Sequence, residues 1–211
     1  MKNLFVRIVF LTLGQIVNGV GIAFTVRANI GYAPWEVFHA GIGNTIGLTM
    51  GVTSIIVGLA IVIFVTAMGE KIGLGTIMGI TVTGLILDLV LYIDIIPEAG
   101  SIFVGILMLF AGMFIIAIGT YFYIKPAFGA GPRDNLMVVL AKKTKFPVGV
   151  CRSAVECMAT LIGWLLGGMV GYGTIISMIG IGFCVQITFK ALRFDPTKIE
   201  HETLAKTFKK R

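Results

Sequence analysis

Six apolar runs, each of roughly 20 residues and so long enough to cross a bilayer, dictate what this chain can become. They predict spans over Leu4–Val26, Met50–Met68, Ile72–Tyr92, Ser101–Ile124, Val148–Leu166 and Val170–Lys190. Charged residues make up 13% of the chain, against about 25% in soluble domains, so the runs cannot be covered by a wetted surface. The expected fold class is an all-α polytopic membrane protein. Two further segments, 34–44 and 132–144, begin at Pro34 and Pro132 and are too short to cross. Each is expected to be a half-helix, interfacial or re-entrant.

The chain also resembles itself at an offset of 98 residues. Gly14, Gly21, Gly31, Gly51, Gly69, Gly73, Gly75 and Gly84 fall on Gly112, Gly119, Gly129, Gly149, Gly167, Gly171, Gly173 and Gly182. Pro34 falls on Pro132, Glu36 on Asp134 and Arg27 on Lys125. With 28 glycines in 211 residues, chance alignment supplies only about two matches of this kind. The expected organisation is a first repeat over 1–98, a second over 99–192 and a basic cytoplasmic tail over 193–211. Each repeat carries three spans and one half-helix, so the second enters the membrane upside down. Inverted repeats with interrupted helices recur in secondary transporters, although duplication is also a simple route to a stable bundle.

Charge agrees with this topology. With the N-terminus in the cytoplasm, 16 of the 17 basic residues fall on the inner side and Arg27 alone lies outside, beside Glu36, Asp94 and Glu98. That asymmetry is the positive-inside pattern, and it predicts a multi-pass protein with both termini cytoplasmic. The net charge of +7 therefore sets topology and implies no nucleic-acid partner. The tail alternates charges with Leu204 and Phe208 and reads as a helix on the anionic leaflet.

The candidate site centres on the two elbows, Gly31-Tyr32-Ala33-Pro34-Trp35-Glu36 and Gly129-Ala130-Gly131-Pro132-Arg133-Asp134-Asn135. Proline suits the first helical position, an acid in the first turn complements the helix dipole, and glycine ahead of it lets the backbone bend. A half-helix start aimed inward offers free N–H groups to an anion. Arg133 opposes the dipole and requires a partner: Asp134, Glu156 or a bound anion. Gln15 and Asn18, one turn apart in the first span, are candidate solute contacts or helix–helix glue. Trp35 reads as an interfacial belt residue or a binding residue, and His39 as a surface group. Arg152 and Glu156 share a helix face and suggest an intramembrane ion pair or coupling site; Asp88 is a weaker candidate of the same kind. Cys151, Cys157 and Cys184 lie within spans without ligand spacing and read as small buried hydrophobes. Gly163, Gly167 and Gly171, like Gly69 and Gly73, read as packing seams. No metal or cofactor is expected, and no nucleophile–base pair can be assembled, so an enzyme is not expected.

The Gly-x-Gly-Pro-Arg-Asp-Asn-Leu-Met run from Gly129 to Met137, with Gly-x-x-Pro-Trp-Glu from Gly31 to Glu36, resembles the YczE/YyaS/YitT family of bacterial inner-membrane proteins, its YczE branch most. The likeness covers roughly residues 5 to 190. Members usually show Pro-Trp-Asp at the first elbow, where this chain has Glu36. The resemblance implies the bacterial cytoplasmic membrane and about six spans, and adds little about activity. The leading expectation is a small permease for an anionic or zwitterionic solute, with Arg133 as anion contact, Glu156 as coupling site and a possible homodimer. The alternative is a non-transporting accessory or scaffold protein that stabilises a partner complex.

Overall fold

The computed structural model describes residues 4–70, 72–129, 131–196 and 199, and of Asp134 the backbone alone. Most of the expected tail, with Leu204 and Phe208, lies outside the described residues. Eight α-helices follow one another: α1 (Leu4–Arg27), α2 (Pro34–Ile46), α3 (Met50–Ala67), α4 (Leu74–Ile93), α5 (Ile102–Ile124), α6 (Pro132–Thr144), α7 (Val148–Leu165) and α8 (Tyr172–Ala191). Six of them are long and apolar enough to cross a membrane. The other two, α2 and α6, are 13 residues each. All eight were anticipated to within two residues at each end. Large apolar side chains such as Ile63, Phe103, Ile179 and Phe183 point outward, as a lipid-facing surface requires. Cys151 and Cys184 are buried as expected, whereas Cys157 is exposed on that surface; the face of α7 it occupies could not be read from hydropathy alone.

The centre of the molecule is the antiparallel pair α1 and α5. A Cβ at Gly14 would lie 2.6 Å from the Tyr123 nitrogen, and one at Gly119 would lie 2.9 Å from the Gly14 oxygen. Farther along, a Cβ at Gly21 would lie 2.8 Å from the Ile116 nitrogen, and Gly112 faces the Gly21 carbonyl. Backbones this close admit no side chain, which is the use of small residues in membrane helix packing. At one end of the pair Arg7 donates to the Pro126 carbonyl at 2.7 Å and its guanidinium lies over the Phe128 ring. At the other end Gly105 abuts Ala28 and Ile30. Around this pair α4 packs on α1 and α8 on α5, while α2 packs on α7 and α3 on α6.

The elbows are formed by the same backbone device. Gly31 and Gly129 have φ of 112° and 114°, a region open to glycine at little cost. Each then leans on the start of a distant span. The Gly75 N–H donates to the Phe128 carbonyl at 2.8 Å, and the Gly173 N–H to the Ile30 carbonyl at 2.7 Å. Those spans begin in the same way, with the Gly73 N–H bonded to Thr76 Oγ1 and the Gly171 N–H to Thr174 Oγ1. Of the expected seams, Gly163 and Gly171 are packed against backbone, as is Gly73, whereas Gly69 and Gly167 have open space and serve instead as turns with φ of 89°.

Candidate functional site

A cavity of about 560 Å³ lies where the two elbows meet. Its wall includes Pro34, Trp35 and Glu36 from the start of α2 and Gly131, Pro132 and Arg133 from the start of α6. Gln15 and Asn18 of α1 and Arg152 and Glu156 of α7 complete the polar lining anticipated from sequence. Isoleucines and methionines, among them Ile80, Met113 and Ile116, form the apolar remainder. Neither half-helix start carries a side-chain cap: the N-cap residues are Ala33 and Gly131. The first N–H groups of a helix have no partner within it, and the residues that begin both helices line the cavity.

Arg133 finds a partner that sequence reasoning did not consider. Its Nη2 approaches Glu36 Oε1 at 3.5 Å, and its guanidinium lies 4.8 Å above the Trp35 ring. One elbow thus supplies the cation and the other both the carboxylate and the aromatic platform, an arrangement that attracts a guanidinium by the ring's quadrupole. Trp35 is buried and belongs to this site, not to an interfacial belt. Arg152 and Glu156 pair with each other at 2.8 Å, as their i,i+4 spacing predicted.

Gln15 Oε1 accepts from Thr83 at 2.8 Å, so its glue role is real, and it also lines the cavity. His39 is 2% exposed, against the expectation of a surface group. It faces the cavity because Trp35, Glu36 and His39 fall on one helical face, a spacing signal present in the sequence. Gly31 and Gly129 sit behind the wall, and Asn135 is likewise outside it; the Asn135 N–H closes the first turn of α6 on Gly131. Asp134 follows Arg133 in the first turn of α6. Asp88 lies outside the cavity wall and accepts from Thr49 Oγ1 and from the N–H groups of Gly51 (2.8 Å) and Val52 (3.0 Å). It caps α3 from outside that helix, and such a tertiary cap leaves no local spacing to read. Among the described residues, no group of three or more His, Cys, Asp or Glu could hold a metal ion.

Fold and site together define a multi-pass helical membrane protein with a largely apolar cavity, holding a few charged groups, between two half-helix starts. The chain belongs to a family of unknown function, DUF6198, whose model matches residues 5–190, and its relatives include the YczE and YyaS proteins that the two elbow motifs suggested. It is similar to the uncharacterized membrane protein YczE of Bacillus subtilis (strain 168), 31% identical over 192 residues, covering 89% of this chain and 87% of that one. An uncharacterized protein of Haemophilus influenzae is 33% identical over 168 residues, 80% of this chain and 76% of its own length. The uncharacterized protein YyaS of Bacillus subtilis is 23% identical over 175 residues, covering 82% and 87%. No solved structure matches the chain.

Proposed function

We propose that this protein is a small permease of the bacterial cytoplasmic membrane, carrying a small anionic or zwitterionic solute, with both termini cytoplasmic. Its role is binding and passage, not covalent chemistry. The observation that carries the reading is the convergence of both proline-started half-helices on one cavity, with Arg133 and Glu36 at their tips. Half-helix starts aimed at a midplane site are the recurring means by which transporters hold charged solutes.

The reading includes two inverted halves, each of three spans and one half-helix, divided near residue 98. Support comes from reciprocity. Gly14 and Gly112 are equivalent at the 98-residue offset, as are Gly21 and Gly119, and across α1 and α5 Gly14 meets Gly119 while Gly21 meets Gly112. The Gly75–Phe128 and Gly173–Ile30 bonds exchange in the same way. A twofold axis in the membrane plane accounts for such exchange. Rocking one half against the other then opens the cavity to each side in turn.

The test requires no knowledge of the solute. Cys151, Cys157 and Cys184 are replaced, and a single cysteine is introduced at Met137 or Met178, both in the cavity wall. The protein is reconstituted in oriented vesicles and treated with a membrane-impermeant maleimide. Labelling from either face is the expected result. Labelling from one face only, at both positions, means a fixed vestibule and favours the scaffold role.

A further inference from the structure

We infer that the solute is a zwitterionic amino-carboxylate, and that it binds by inserting between Arg133 and Glu36, its carboxylate on the guanidinium and its ammonium on the glutamate. The inference rests on the permease reading only in calling the occupant cargo; the binding site stands on its own observations.

Four charged groups with described side chains line the cavity, two of each sign: Arg133, Arg152, Glu36 and Glu156. The two pairs are not alike. Arg152 and Glu156 are closed at 2.8 Å, each already neutralising the other on one helix. Arg133 and Glu36 touch once, at 3.5 Å, the far limit of a hydrogen bond, where a closed guanidinium–carboxylate pair sits at roughly 2.7–2.9 Å. Guanidinium has five N–H donors in a fixed fork, and only this one contact engages them among the described residues. The pair is slack, and it sits at two uncapped helix starts.

Neutral groups point the same way. Asn18 is 7% and His39 2% exposed, both line the cavity, and neither makes a side-chain hydrogen bond to a described residue. No side-chain nitrogen or oxygen among the described residues is both sealed and unpaired, so the unbonded atoms of Asn18 and His39 face the cavity. Accessible polar atoms of Asn18 and His39 beside a slack ion pair give the cavity the few convergent polar groups of a small-molecule site. The volume, about 560 Å³, falls within the roughly 300–1,000 Å³ of small-molecule sites.

Charge decides the class. A lone anion that took Arg133 would strand the Glu36 carboxylate, which is 8% exposed, and a lone cation on Glu36 would leave Arg133, which is 36% exposed, without its carboxylate. Leaving a buried charge uncompensated is strongly unfavourable, and that cost falls chiefly on Glu36, the enclosed member of the pair. A zwitterion satisfies both and conserves the cavity's charge, while Ile80, Met113 and Ile116 receive its apolar part.

The experiment uses the purified wild-type protein in detergent. Thermal shift and calorimetric titration are run with the twenty standard amino acids, β-alanine and 4-aminobutyrate. Each responding compound is then compared with its deaminated carboxylate and its decarboxylated amine. At least one zwitterion is expected to bind at least ten-fold more tightly than either truncated form. In Glu36→Gln the preference is expected to move toward the carboxylate, because an anion there strands no charge; a merely structural glutamate would not change selectivity. A carboxylate that binds wild type as tightly as the zwitterion overturns the inference, as does the absence of any response to the panel. Zwitterion binding with one-sided maleimide labelling leaves this site intact and removes the permease. Two-sided labelling with carboxylate-selective binding does the reverse.

Discussion

The two elbows share a backbone geometry and differ in how they are held. α2 lies on α7 through glycine: a Cβ at Gly41 would lie 2.9 Å from the Gly163 Cα, and one at Gly163 would lie 2.6 Å from the Phe38 Cα. At the equivalent positions, 98 residues away, α6 and α3 carry Val139 and Val65, both buried. The second elbow adds an ion pair between Lys142 and Glu70, with Lys142 largely exposed. The spans beside them differ too: α3 packs along α4, whereas α7 does not pack along α8. One elbow is therefore locked by backbone contact. The other is held by side chains and a solvated charge pair, on the side where the cavity reaches Tyr123, Ile124 and Pro196. Under the permease reading, this asymmetry makes the second elbow the one expected to move.

Exchanging the residues that make the difference gives the largest expected effect. Gly41→Val forces a side chain into the Gly163 backbone, and overpacking of this kind costs about 1–3 kcal/mol or more. The melting temperature of the purified protein should fall markedly, and the folded fraction on size exclusion with it. Val139→Gly removes a buried side chain and weakens a helix, at about 2 kcal/mol, and should leave the first elbow intact. Equal losses from both would mean that the two interfaces are not different in kind.

Strain at the hinges comes next. Gly31→Ala and Gly129→Ala each place a side chain at positive φ, a cost of roughly 1–2 kcal/mol, before any clash with Gly171 or Gly73 is counted. Similar falls in thermal stability are expected from both, because the hinges are equivalent even where the interfaces are not. A large fall from one and none from the other would break the equivalence. The smallest effect belongs to Lys142→Ala. An exposed ion pair is worth about 0–1 kcal/mol, so stability should change little. The second elbow should nevertheless open more often, read as faster maleimide labelling at Met137. No change in that rate would show that the pair holds nothing.

Much of this was legible in the chain itself. Spans follow from apolar length, the half-helix starts from Pro34 and Pro132, and the Arg152–Glu156 contact from four-residue spacing on one helix. All are short-range or periodic signals, and they survive without coordinates because they depend on helix geometry and on the cost of dehydrating charge. Tertiary structure alone decided that Arg133 meets Glu36 across 97 residues, that Asp88 caps α3 instead of lining the cavity, and that His39 is enclosed. Such pairings depend on how helices are placed around α1 and α5, and a side chain's partner across that distance leaves no periodic mark. The elements were written locally; which charges share a chamber was settled only when the backbones of α1 and α5 closed on their glycines.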